Sequence, residues 1–236
     1  MGPSRRNPLE IRHATLADCA EATGALVAID VLRAFTTAAF AFAAGAERIV
    51  LAGEIDEAFR LREALPEALI MGEKNGLRVP GFDFGNSPSE LRGLDLSGHT
   101  LIQRTSAGTQ GLVRAQKAGP LLAAGLCNAR ATVEYLASHV RGGVTLVATG
   151  VLPGEDGDED IACAELIAAS LRGRALELPP LLERVRVSTW GRNFTDAAHP
   201  EFPLADLELA LQVDRFTFAM PVHREGDQLV MRAERI

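Results

Sequence analysis

Aromatic residues make up only 5% of this 236-residue chain, with one Trp and one Tyr, and 24 Lys and Arg are outnumbered by 31 Asp and Glu. The first shortage removes the stacking platforms that single-stranded nucleic acid uses. The second leaves a formal charge of −7 and a pI near 5.3, a field that repels polyanions and anionic lipid. Nucleic acid and membrane partners are therefore not expected. A small anionic ligand stays compatible, because solvent ions screen that field over about 8–10 Å and a few local arginines outweigh it.

Cysteine is scarce as well. Cys19, Cys127 and Cys163 are odd in number and form no C-x-x-C pair, which excludes a disulfide framework and a zinc knuckle. The five histidines stand alone, without H-E-x-x-H, so histidine-ligated zinc is not expected. No Walker loop occurs, and no Cys is followed by the Arg of a thiolate phosphatase. There is no run of 18 apolar residues, and the polar segment Met1–Leu9, with Arg5 and Arg6, leads into no apolar leader core. The expected setting is a reducing cytoplasm.

What is present is a βαβ rhythm. Ala25–Ile29, Arg48–Leu51, Ala68–Met71, Thr100–Ile102, Leu121–Ala124 and Val144–Ala148 read as strands buried on both faces. Helical periodicity lies between them at Ala34–Ala44, Ile55–Leu65, Thr109–Lys117, Ala129–His139 and Asp158–Leu171. Phe216–Val222 and Gln228–Arg232 turn around Gly226 as an antiparallel hairpin, with Pro221 putting its first strand at an edge or its end. With no linker or repeat, residues 1–236 read as a single three-layer α/β/α domain on a mostly parallel, mixed sheet. A homodimer is compatible with this composition.

Ligands of such sheets bind beyond the carboxyl ends of the strands, and four segments there are unusual. Asp30 and Arg33 pair a carboxylate with a planar guanidinium fork at a strand-to-helix turn, suited to Mg2+ and to phosphate oxygens; the plain alternative is a capping Asp and a solvent-facing Arg. The Gly72–Pro88 loop gathers Glu73, Lys74, Asp83, Asn86 and Ser87 among glycines that let backbone N–H groups converge on an anion. Arg104, Thr105, Ser106 and Thr109 open a helix, either as an anion site or as caps. Glu155-Asp-Gly-Asp-Glu-Asp160 packs five carboxylates ahead of an apolar helix. The dipole accounts for some of them, and Glu159 or Asp160 facing the crevice would complete a site for a hard divalent cation.

Taken together, Ala28-Ile-Asp-Val-Leu-Arg-Ala-Phe-Thr-Thr37, Gly81-Phe-Asp-Phe-Gly-Asn-Ser-Pro88 and Glu159-Asp-Ile-Ala-Cys-Ala164 resemble, in order, the motifs of the 2-phosphosulfolactate phosphatase (ComB-like) family. The resemblance runs over nearly the whole chain and includes a weaker match at Asp214–Ala219. It implies Mg2+-dependent hydrolysis of 2-phosphosulfolactate to sulfolactate and phosphate, a step of coenzyme M synthesis. Asp30, Arg33, Glu73 and Asp83 are then the catalytic candidates. Arg33, Lys74, Asn86, Ser87, Arg104, Thr105, Ser106, Thr109 and Asn128 are expected to contact substrate, and Asp30, Glu159 and Asp160 to hold the metal. Two segments depart from the family pattern: Thr105-Ser-Ala-Gly-Thr109 lacks an expected Asn, and Gly72-Glu-Lys-Asn75 replaces Gly-Glu-Arg-Gly. Arg33 and the Arg104–Thr109 helix start follow different strands, which predicts two anion subsites. A phosphatase for another phosphorylated hydroxy acid and a non-catalytic phosphometabolite binder remain as alternatives.

Overall fold

The structure, a computed structural model, describes residues 9–236; Met1–Pro8, and with them most of the polar N-terminal segment, lie outside it. The chain runs through β1 (Glu10–Thr15), β2 (Ala25–Ile29), α1 (Ala34–Ala43), β3 (Arg48–Leu51), α2 (Ile55–Ala64), β4 (Leu69–Lys74) and β5 (Leu77–Arg78). It continues with α3 (Pro88–Leu91), β6 (Thr100–Arg104), α4 (Gly108–Val113), β7 (Leu121–Ala124), α5 (Ala129–His139), β8 (Gly143–Ala148) and α6 (Asp158–Leu171). The last part holds α7 (Leu178–Val187), α8 (Thr189–Asn193), α9 (Leu204–Ala210), β9 (Phe218–Glu225), β10 (Gln228–Met231) and β11 (Glu234–Arg235).

The sheet order is β1-β8-β2-β7-β9-β10-β3-β6-β4-β5. Side chains of β2 alternate between two cores, as period-two geometry requires: Leu26 and Ala28 pack with α1, while Ala25, Val27 and Ile29 pack with α5 and α6. A third cluster joins Ala58 of α2 to Val50, Ile70, Ile102 and Val230. Helix α1 is buried at all but one of its ten positions, which explains its lack of a polar face. Helices thus cover both faces. Among the described residues, no helix is long and apolar enough to cross a membrane.

The C-terminal hairpin is not at an edge. Strands β9 and β10 sit mid-sheet, between β7 and β3. Pro221 lies opposite Leu122 of β7 on one side, and its carbonyl accepts from Arg232 N–H on the other. A proline lacks only its own N–H, so one ladder bond is lost at the point that separates β10 from β11, while the register continues across it. The unexpected strand β1 has no apolar run because it borders only β8. Residues 178–210, which carry no clear periodicity, form three short helices.

Three successive antiparallel joins, β7 to β9, β9 to β10 and β10 to β3, leave the two parallel halves running in opposite directions. Neighbouring strands twist by about 20–25°, so six neighbour steps from β2 to β4 turn the strand direction through more than a right angle. The carboxyl ends of β2 and β8 thereby come to face those of β4 and β6 across one pocket.

Candidate active site

That pocket has a volume of about 370 Å3. Its acidic side is built by Asp30 after β2, Glu73 in β4, and Glu155, Glu159 and Asp160 from the segment after β8. Arg33, Asn75, Asn86 and Ser106 also line it, with Leu32, Ala107, Leu152, Trp190 and Phe202.

Asp30 Oδ1 accepts from Ala34 N–H at 2.8 Å, so this carboxylate caps α1 and faces the pocket at once. Asp160 is fully engaged: Oδ1 accepts from Val31 N–H and Oδ2 from Gly150 N–H, both at 2.8 Å. Glu159 is almost wholly buried, and its Oε2 has no hydrogen-bond partner. Backbone closeness makes room for these groups. A Cβ on Gly150 would meet Glu159 Oε1 at 2.8 Å, and one on Gly108 would meet Asp30 Oδ2 at 2.7 Å. Burial, then repulsion by Glu73, raises the Asp30 pKa to about 6. Burial, with repulsion by Asp30 and Asp156, raises Glu159 to about 7. Asp160 is pushed well up by burial and by both neighbours. Removing several carboxylates from water beside one another is what disfavours their charged forms.

The donor set suits a hard divalent cation, since it is oxygen throughout and includes one buried oxygen without a partner. Among the described residues, no three acidic, His or Cys side chains converge as a ready-made cage. The fit is therefore to a cation held by one or two carboxylates and completed by water and ligand oxygens, the usual habit of Mg2+.

Arg33 is neither solvent-facing nor an open fork. It is 5% exposed and its Nη1 donates to Asp206 Oδ2 at 2.8 Å and to Glu201 O at 3.3 Å, while Nη2 donates to Gly76 O at 3.0 Å. Its guanidinium lies 4.9 Å from the Phe202 ring centroid and 5.3 Å from that of Phe194. Of its five N–H groups, Nε–H and one on Nη2 take no part in these bonds.

Glu73 is the anchor of its turn. Its carboxylate accepts from Gly76 N–H at 2.6 Å and from Ser106 N–H and Oγ–H at 2.5 and 3.1 Å. Asn86 is buried against the pocket with Oδ1 unpartnered.

Several expected residues lie elsewhere. Asp83 Oδ2 accepts from Ile70 N–H at 2.7 Å and meets Arg62 at 3.5 Å, closing the edge of β4 away from the pocket. Alternation along β4 puts Lys74 out in solvent when Glu73 points in. Ser87 caps α3 and donates to Asp206 at 2.8 Å. Arg104 donates to the carbonyls of Gly53 and Glu73. Thr105 and Thr109 cap one another, each N–H donating to the other's hydroxyl at 2.9 and 3.0 Å, so the capping alternative holds there. Asn128 is wholly buried, accepts from Gly125 N–H at 3.0 Å, and lines no part of the pocket. Of the Arg104–Thr109 helix start, where a second anion subsite was predicted, Ser106 and Ala107 reach the pocket, while Arg104, Thr105 and Thr109 are engaged with other partners.

The acidic run before α6 divides its labour. Asp158 pairs with Arg184, Asp156 accepts from Thr189 N–H, and Glu155 accepts from Trp190 Nε1 at 2.6 Å. Asp206, Trp190 and Phe202 were not anticipated. Of the two carboxylates in the helix Leu-Ala-Asp-Leu-Glu-Leu-Ala, Glu208 is exposed and Asp206 is wholly buried.

Residues 8–189 match the family described as 2-phosphosulpholactate phosphatase. A probable 2-phosphosulfolactate phosphatase of Bacillus subtilis is 32% identical over 202 residues, covering 85% of this chain and 88% of the relative. One from a Nostoc species is 36% identical over 229 residues, covering 89% and 90%. Another, from Carboxydothermus hydrogenoformans, reaches 48% over 112 residues, 48% of this chain and 46% of its own.

Proposed function

The chain belongs to the 2-phosphosulpholactate phosphatase family, and on that premise we propose that it hydrolyses the phosphate ester of a small acidic hydroxy acid with the help of Mg2+. The reference substrate is 2-phosphosulfolactate, after the names of the relatives. The observation that carries this reading is the meeting of Asp30, Glu159 and Asp160 with Arg33 in one pocket.

Asp30 and Glu159 would hold Mg2+, which when bound supplies positive charge against the phosphate and acidifies water. Asp160, with both oxygens committed to backbone N–H groups, fixes the turns after β2 and β8 so that the other two carboxylates stay in place. Arg33 uses its Nε–H and its charge on the phosphate oxygens, where positive charge favours the transition state most. Asn86 Oδ1 offers an acceptor for the attacking water. A protein that only bound an anion would gain nothing from carboxylates turned towards it, which disfavours the non-catalytic alternative. Three buried free cysteines fit a reducing cytoplasm.

The test is phosphate release from 2-phosphosulfolactate and other phosphorylated hydroxy acids, before and after chelation. We expect release that stops on chelation and returns with Mg2+, and a drop of about 100-fold or more in Asp30→Asn and Glu159→Gln. Undiminished turnover after exhaustive chelation would remove the cation; no release from any ester would remove the reading.

A further inference from the structure

Besides Arg33, the pocket is lined by three neutral N–H sources that have no partner among the described residues. Asn86 is 7% exposed, its Oδ1 is orphaned and its Nδ2 makes no hydrogen bond. The backbone N–H of Ala107 finds no acceptor, although Ser106 N–H beside it donates to Glu73. The side-chain amide of Asn75 is exposed at the mouth and is also unpaired.

The turn between β4 and β5 holds Asn75 in place. Its φ of 54° is the left-handed conformation that Asn tolerates better than most residues. Its N–H donates to Ser106 Oγ at 3.0 Å, and the next N–H, on Gly76, donates to Glu73. Phe202 packs behind the turn, so close that a Cβ on Gly76 would lie 2.7 Å from its ring. The bond to Ser106 sets Asn75 next to Ala107, while Gly76 O accepts from Arg33 Nη2 at 3.0 Å. Consecutive Cα atoms are about 3.8 Å apart, so Arg33 and Asn75 address points that a short carbon skeleton can bridge. Among the described residues lining the pocket, Arg33 is the one basic side chain, and Lys74 is exposed. A second cation here would be drawn to Asp30, Glu155 and Glu159. Neutral amides are not, so their N–H groups stay available to a ligand.

We propose that a second acid group on the ester's short skeleton, carboxylate or sulfonate, is bound by these neutral amides, with Asn75 setting the preference for it. The proposal rests on the phosphate-ester reading above and deepens it by naming what reads the second acid. Position 75 is one at which this chain departs from the family pattern, so the contact is one that this chain adds. A hydrogen bond to a charged group is stronger than one between neutral groups, which lets a side chain at the mouth discriminate.

The test titrates non-hydrolysable probes by calorimetry against the full chain with Mg2+: propylphosphonate, its acid counterpart 2-carboxyethylphosphonate, and 3-sulfopropylphosphonate. An acid-bearing probe is expected to bind at least about tenfold more tightly than propylphosphonate, the size of one hydrogen bond to a charged group. Which of the two gains more distinguishes carboxylate from sulfonate. Asn75→Gly keeps the turn, since glycine adopts positive φ freely, and is expected to cut the ratio at least about fivefold. Asn75→Asp also suits that backbone but sets a carboxylate against the ligand's acid, and should bring the ratio to about one or below. Circular dichroism checks the folding of both. Equal affinities for the three probes in the wild type, or a ratio unmoved by both variants, overturns the proposal. Phosphate release from 2-phosphosulfolactate is measured alongside. Its absence with the ratio intact removes the phosphatase reading and leaves the subsite, whereas release without any acid preference removes the subsite and leaves the reading.

Discussion

Metal-free protein should lose stability as pH rises from 5 to 8, the reverse of a protein whose carboxylates are salt-bridged. A carboxyl whose pKa is higher folded than unfolded binds its proton more tightly in the folded chain. Its contribution is complete below the unfolded pKa and is lost as pH rises through the folded value. Asp30 moves from 3.8 to about 6 and Glu159 from 4.5 to about 7, each chiefly through burial, so the window runs from about pH 4 to 7. At about 1.4 kcal/mol per pH unit, Asp30 and Glu159 together lose a few kcal/mol between pH 5 and 8, Glu159 the larger part. The two repel through the same pocket, so part of this is shared and about 3 kcal/mol is expected in all. For a chain of this length that is a fall of about 6–12 °C in Tm. Urea midpoints in chelator at pH 5 and 8, with unchanged m, measure it. Mg2+ should restore stability at pH 8 and do little at pH 5, because a bound cation takes the place of the protons. Glu159→Gln should flatten the pH slope. A metal-free midpoint that is level or rises between pH 5 and 8 would refute the reasoning.

Arg33→Met should cost about 3–5 kcal/mol, because it leaves Asp206 buried without its partner, and adding Asp206→Leu should recover part of that; a loss under about 1 kcal/mol in urea unfolding would show the pair to be unimportant. Arg33→Lys keeps the charge but cannot reach Asp206, Glu201 and Gly76 together, so kcat/KM should fall at least about tenfold and Tm should fall with it. Asp83→Ala should leave turnover within about twofold and cost about 1–3 kcal/mol at the Ile70 N–H; a large loss of turnover would return Asp83 to the site. Thr105→Val should cost about 1 kcal/mol through the lost cap with KM unchanged, and a raised KM would reinstate an anion contact there.

From β2 to α6 the order of the buried strands and longer helices was legible in the chain itself, because a strand buried on both faces must be an apolar run and a helix against it must repeat near 3.6; β1, β5 and α3 were not legible. Ala25–Ile29 and Asp158–Leu171 have the bounds their patterns suggested. Asp30 and Glu159 were readable for the same reason: a carboxylate at the end of an apolar run, or at the head of an apolar helix, has few places to go. What periodicity could not reveal was where two distant segments meet. The central place of the β9–β10 hairpin depended on which strands it would pair with, and Pro221 argued locally for an edge. Arg104, Thr105 and Thr109 have side chains able to bind an anion, but the N–H and carbonyl groups within reach claimed them first. Asp206, Trp190 and Phe202 belong to a stretch with weak local signals, and only the packing of α8 and α9 over the strand ends brought them to Arg33. Composition and period determine which groups must be buried; which partner each finds is decided by the sheet's twist and by contacts across more than 150 residues, as between Arg33 and Asp206, 173 positions apart.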